Sequence, residues 1–155
     1  MAHASGGPAA EPTITLAPVT VANWQTCIHL RVSPEQATHL ASNLYSLAEA
    51  YVEPACVPRA IYADETTIGF VMYTFHESTG AYSIPRFMID VHWQGAGYGR
   101  RAMAAVLDTL KAERPAAPVF ISLTPGNAAA RRLYTALGFE ETGRREAGED
   151  ILCHR

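Results

Sequence analysis

The apolar positions of this chain change period several times, and each change marks an element. Thr13 to Leu16 alternates and predicts a first strand, and Val21 to Leu30 predicts a short helix. Ser33, Pro34 and Gln36 then stand in the order of an N-cap, a first-turn proline and the return partner of a capping box. Ala37, Leu40, Ala41, Leu44, Leu47, Ala48 and Tyr51 follow at helical spacing, which predicts one amphipathic helix ending before Pro54.

Arg59 to Ala63 and Thr67 to Phe75 are rich in β-branched and aromatic residues, and Asp64 to Thr66 between them predicts a hairpin. Tyr82 to Val91 reads as a third long strand. Tyr82 and Ile84 share one parity, whereas Phe87, Ile89 and Val91 share the other. A period of two switches parity only at an irregularity, so a bulge or break is expected near Pro85 to Met88. The run Gln94 to Arg101 contains three glycines and leads into a helix with Met103, Val106, Leu107 and Leu110 on one face. Val119 to Leu123 is a short apolar strand. Asn127 caps a further helix striped by Ala130, Leu133, Tyr134 and Leu137 and stopped by Gly138. Phe139 to Arg145 and Asp150 to Cys153 close the chain as strands. The order is mixed α/β, without internal repeats, in one domain over residues 13–155. Residues 1–12, rich in Ala, Gly and Pro, are expected to form a disordered tail.

Composition narrows the function. With 155 residues, 48% of them apolar and 17% charged, the chain can bury a core. A net charge of -3 argues against nucleic acid as the partner, since neutralising many phosphates needs a basic surface. Cys27, Cys56 and Cys153 lie far apart, form no CxxC pair and have no His at ligand spacing, so neither a disulfide framework nor a metal site is expected. No apolar run reaches membrane-spanning length and no secretory signal opens the chain, which makes the cytoplasm the default location.

The glycine turn carries the chemistry. Between a strand and a helix start, free backbone N–H groups and the positive end of the helix dipole converge into an anion site. Gly97 and Gly99 lack the Cβ atoms that would keep a phosphate away, and Arg100 and Arg101 add charge. A Walker P-loop is excluded because the one lysine, Lys111, stands elsewhere. A dinucleotide fingerprint fails on context, because the turn follows hairpin strands.

The pattern Gln94-x-x-Gly97-x-Gly99, after a strand and before an amphipathic helix, resembles the pyrophosphate loop of the GNAT acetyltransferases. Arg86-Phe87-Met88-Ile89-Asp90 stands where that family has a bulged, splayed strand. Asn127, Ala130, Leu133, Tyr134, Gly138 and Phe139 match its Asn-x-x-Ala-x-x-Leu-Tyr-x-x-x-Gly-Phe signature. Pro34-Glu35-Gln36 and Gly69-Phe70-Val71-Met72-Tyr73 add a likeness to the bacterial diamine and polyamine N-acetyltransferases. Trp93 departs from it by standing where relatives often have Tyr.

The resemblance implies a GNAT fold: a central, mostly antiparallel sheet of six to seven strands with flanking helices. It also implies acetyl transfer from acetyl-CoA to a small-molecule primary amine, most naturally a diamine or polyamine, by direct attack in a ternary complex. By the same resemblance Tyr134 is the general acid and Ile89 the oxyanion donor through its N–H. Met88 and Ile89 pair the pantetheine arm. Gln94, Gly95, Ala96, Gly97, Tyr98, Gly99 and Arg100 hold the pyrophosphate, Asn127 touches the cofactor arm, and Glu35 faces the acceptor. A general base is not singled out among Glu35, His76, Glu77 and Glu149. Another amine acceptor (an amine antibiotic, an amino acid or a peptide N-terminus) and a non-catalytic acyl-CoA-binding module are the alternatives. An intact Tyr134 speaks against the latter. The oligomeric state stays open, a homodimer among the options.

Overall fold

The computed structural model describes residues 8–155; the first part of the expected N-terminal tail, residues 1–7, lies outside the described residues. Seven strands form one sheet in the order β1-β2-β3-β4-β5-β7-β6. They are β1 (Ile14–Pro18), β2 (Cys56–Ala63), β3 (Thr66–His76), β4 (Ala81–Ile89), β5 (Val119–Leu123), β6 (Glu140–Glu146) and β7 (Glu149–His154). All neighbours pair antiparallel except β4 and β5, which run parallel. The helices are α1 (Trp24–His29), α2 (Pro34–Ala37), α3 (Asn43–Val52), α4 (Tyr98–Glu113) and α5 (Ala128–Ala136).

Strand alternation divides the core between the two faces. Ile61, Ile68 and Val71 pack with Met103, Val106 and Leu110 of α4 and with Tyr134 of α5. Ala60, Phe70, Met72 and Met88 pack on the opposite face against Cys27, Leu40, Leu47 and Ala50.

The single helix expected from Pro34 to Tyr51 is two helices. The capping box of Ser33 and Gln36 forms as the sequence indicated, but α2 lasts only four residues. Thr38 Oγ1 donates back to the Glu35 carbonyl at 2.7 Å, and His39 N–H reaches Gln36 O at 3.1 Å, which tightens the turn until it ends. Ser42 is a second N-cap, accepting from Tyr45 N–H at 3.1 Å. The new start also reverses the expected face. Asn43 turns inward to donate to the Cys27 carbonyl at 2.8 Å, and Leu44 and Tyr51 are left 57% and 88% exposed.

The expected irregularity in β4 falls at Ile84 and Pro85. Ser83 pairs with Thr74 and Arg86 with Met72, so two residues of β4 oppose Tyr73 alone. The strand ends at Ile89 rather than Val91, because the Asp90 side chain caps a 3-10 turn over Val91–Trp93 by accepting His92 N–H at 3.0 Å.

Candidate active site

Two strands that begin as neighbours and then part create the site. β4 and β5 pair only at Tyr82 with Val119 and Ser83 with Phe120. Beyond that point the edges diverge, and a cleft of about 990 Å³ opens between Ile84–Ile89 on one side and Ile121–Thr124 on the other. α2, the turn before α4 and the start of α5 complete its lining.

The backbone of β4 is directed by its pairing. Asp90 donates to the Ile68 carbonyl at 2.8 Å. Antiparallel alternation therefore turns the N–H groups of Met88 and Arg86 toward β3, and those of Phe87 and Ile89 toward the cleft. The Ile89 carbonyl shares that side, and it accepts from Gln94 Nε2 at 2.8 Å. Met88 lines the cleft through its side chain, whose sulfur accepts from Asn43 Nδ2 at 3.6 Å.

Asp90 locks this end of the strand. Its carboxylate accepts from the backbone of Arg31 at 2.9 Å and from His92 Nδ1 at 2.8 Å, and Val91 N–H returns to the Arg31 carbonyl at 2.7 Å. Burial pushes the Asp90 pKa up, but the N–H donors from Arg31 and His92, with the His92 ring, outweigh it and hold the carboxyl below its usual range.

The turn leaves a row of backbone N–H groups free. Gly95 and Gly97 take φ of +82° and +85°, and Gly97 is the N-cap of α4. Among the described residues, no N–H from Gly95 to Arg100 meets a protein acceptor at hydrogen-bond geometry. A Cβ on Gly99 would make ordinary contacts, 3.9 Å from side-chain atoms of Ile89 and Leu133. Gly95, Gly99 and Gln94 line the cleft, while Ala96, Gly97, Tyr98 and Arg100 flank it outside. Tyr98 packs edge-on against Trp93 with centroids 5.1 Å apart.

Tyr134 reaches the cleft from α5 and is 8% exposed, its ring against Phe139. Loss of solvent pushes its pKa up to about 12, so it remains a neutral phenol at physiological pH. Asn127 caps α5, its Oδ1 accepting from Ala130 N–H at 3.1 Å, and it too lines the cleft.

Of the base candidates, Glu35 and Glu149 line the cleft, from α2 and β7 respectively, and Glu149 accepts from Ser122 Oγ at 2.7 Å. His76 and Glu77 do not; His76 meets Ser83 Oγ, and Glu77 pairs with Arg114. Sequence reasoning missed His39, which lines the cleft from the break after α2. It also missed the contact of Gln36 Oε1 with Gln94 Nε2 at 2.9 Å. The only signal for either was their closeness to Glu35. Among the described residues, no group of three or more His, Cys, Asp or Glu is placed to hold a metal ion, and no helix is long and apolar enough to cross a membrane.

The model of the Acetyltransferase (GNAT) family matches residues 21–139 of this chain. A probable spermine N(1)-acetyltransferase of Bacillus subtilis subsp. natto is 29% identical over 147 residues, covering 90% of this chain and 97% of that protein. Among solved structures, spermidine N-acetyltransferase from Vibrio cholerae with CoA and spermine aligns with a TM-score of 0.71 at 16% identity, over 90% of this chain and 92% of that one. Aminoglycoside acetyltransferase AAC(6')-Ib with coenzyme A aligns with a TM-score of 0.73 at 18% identity, over 91% and 93%. A sheet parted beside a glycine turn is thus the frame of an acyl-CoA-dependent transferase. The chain belongs to the acetyltransferase (GNAT) family and is an acetyl-CoA-dependent N-acetyltransferase.

Proposed function

We propose that the chain acetylates a primary amine of a diamine or polyamine, with acetyl-CoA and the amine in the cleft together. The observation that carries this reading is the make-up of the cleft. One end offers unpaired N–H groups for phosphate, the middle offers the Ile89 N–H and the Tyr134 phenol, and Glu35 and Glu149 lend negative charge to its walls. The similarity to a protein named as a probable spermine N(1)-acetyltransferase points to the same acceptor class.

Acetyl-CoA supplies an acetyl thioester whose C–S bond breaks as the new C–N bond forms. The N–H groups from Gly95 to Arg100 take the diphosphate, and Asn127 keeps its Nδ2 free for the pantetheine amides. Phe87 and Ile89 extend the sheet pattern to that arm, with the Met88 side chain beneath it. Ile89 N–H donates to the acetyl oxygen as charge builds on it. The acceptor arrives as ammonium, because an alkylamine has a pKa of about 10.4. Glu35, Glu149 and His39 all line the cleft, and one of them takes up its proton, directly or through water.

Tyr134 donates to the departing sulfur. A free thiol titrates near 8.5, so a phenol held at about 12 acts first as a hydrogen-bond donor to the departing thiolate and passes its proton on only as far as the thiolate's own basicity draws it. Direct attack fits the cysteines: Cys27 and Cys153 are buried, Cys56 is half-buried, and none lines the cleft.

Thiol release from acetyl-CoA across a panel of amines tests the reading. Spermidine, spermine and putrescine are expected to give the highest kcat/KM. Higher values for neutral monoamines, amino acids or aminoglycosides would refute the polyamine assignment and leave acetyl transfer standing.

A further inference from the structure

We infer that Gln36 is a positioning residue that couples the cofactor turn to the acceptor wall, so that occupation of the turn orders α2. This rests on the reading that the diphosphate binds at Gly95 to Arg100.

α2 has little of its own to hold it. It contains four residues, none of them buried, and is followed by an irregular stretch as far as Ser42. A single turn forms few backbone bonds and is marginal without tertiary support. Val32 and Leu40 on either side of it pack on the core, but among the described residues its hydrogen-bonded fastenings to distant parts of the chain are two. One is the pairing of Arg31 with Asp90 and Val91, just before the helix. The other lies within it: Gln36 Oε1 accepts from Gln94 Nε2 at 2.9 Å, across 58 positions of sequence.

Each of the two atoms in contact also makes a second hydrogen bond, and that makes the contact a coupling. Gln36 Oε1 also accepts from Ser33 N–H at 3.2 Å, closing the capping box. Gln94 Nε2 also donates to the Ile89 carbonyl at 2.8 Å. Gln94 immediately precedes the N–H row of the turn, and Gln36 immediately follows Glu35. An anion that fixes the turn therefore fixes Gln94, and through it both the Ile89 peptide and the helix that carries Glu35. Coupling of this kind is reciprocal: an acceptor that settles α2 tightens the turn on CoA by the same factor.

Hydrogen exchange at Ala37, Thr38 and His39 reads the device without reference to any acceptor, since these amides close the turns of α2. Adding CoA to the wild-type protein is expected to slow their exchange by about two- to tenfold, the range of one net hydrogen bond. Gln36→Leu is expected to bind CoA and lose that response. Gln36→Glu, which keeps an acceptor oxygen for Gln94, is expected to retain it. Ser33→Ala removes the other half of the capping box, so it is expected to exchange faster at baseline yet still respond.

A response that survives in Gln36→Leu, or disappears in Ser33→Ala, overturns the coupling, because helix capping would then explain it. Binding of CoA to wild type with no change at these amides overturns it too, while the cofactor site stands. If CoA does not bind wild type at all, cofactor site and coupling fail together.

Discussion

Gly69 stands directly across the β3–β4 ladder from Ile89, and a Cβ on it would lie 2.5 Å from the Met88 carbonyl oxygen and 2.9 Å from Ile89 Cδ1. One of those atoms is backbone, so no change of rotamer relieves the collision. The missing side chain is what lets β3 hold the end of β4 where the Ile89 N–H meets the cleft. Gly69→Ala is expected to push β4 outward at Ile89, the proposed oxyanion donor. Overpacking of this kind costs about 1–3 kcal/mol. Urea unfolding should show that loss, and kcat should fall more than the loss of folded protein explains. An alanine variant with wild-type stability and turnover would mean that the close approach is not needed.

Tyr134→Phe keeps the ring that packs on Phe139 and removes the hydroxyl in the cleft. Turnover is expected to fall by about 10²–10⁴ with CoA affinity retained, which calorimetry and initial rates check together. The raised pKa adds a second test. Tyr134 and Tyr82 are both held at about 12, Tyr134 by burial, Tyr82 by burial and then by its hydrogen bond to Glu113. Unfolded tyrosines ionise near 10. Below that pH both states keep the proton, and stability is unaffected. Between about 10 and 12 the unfolded chain releases protons that the folded one holds, so stability falls as pH rises. The rate, in contrast, is expected to show no tyrosine limb below pH 10.

The local signals of this fold were legible, and the long-range ones were not. Ser33, Pro34 and Gln36 announced the start of α2, and Gln94 to Gly99 announced the turn, because capping and anion cradles are built from neighbours in sequence. The stripe from Ala37 to Tyr51 kept perfect helical spacing across a break. Periodicity cannot see that Ser42 caps anew or that Asn43 turns inward to serve the Cys27 carbonyl. The same limit hid the Gln36–Gln94 contact and the pressure on Gly69, since each depends on what a distant strand or turn brings alongside.

Gly97 tests the cradle. At φ of +85°, a β-branched residue is strained, although a Cβ there would meet no protein atom within 4 Å. Gly97→Val is expected to reshape the turn, cost about 1–3 kcal/mol of stability, and weaken CoA binding at least about tenfold. Gly80, in the β3–β4 hairpin, has φ of +67° and equally open surroundings, so Gly80→Val carries comparable strain away from the cleft. Calorimetry should find CoA affinity lost in the first variant and kept in the second. Equal affinities in both would move the diphosphate away from this turn.

The acceptor wall makes the last prediction. Glu35 and Glu149 line the cleft from different elements, and Glu149 is oriented by Ser122 Oγ. A third carboxylate nearby, Glu49, is already neutralised by Arg86 at 2.8 Å and contributes no free charge. If the acceptor is a diamine, as proposed, its distal ammonium has Glu35 and Glu149 to choose between. A partly exposed ion pair is worth about 0.2–1 kcal/mol, so Glu35→Gln or Glu149→Gln alone should raise KM for spermidine only about one and a half- to fivefold. The double variant should multiply the two effects if the carboxylates hold different ammonium groups, and exceed neither by much if they hold the same one. KM for a monoamine should change little in any of the three, because its one nitrogen is the reacting atom. Salt should mimic the substitutions, since exposed charges are screened within about 8 Å at physiological ionic strength. Steady-state kinetics with spermidine and a butyl monoamine at low and high salt decide the matter. If KM for spermidine is unmoved by both substitutions and by salt, these carboxylates do not hold the acceptor.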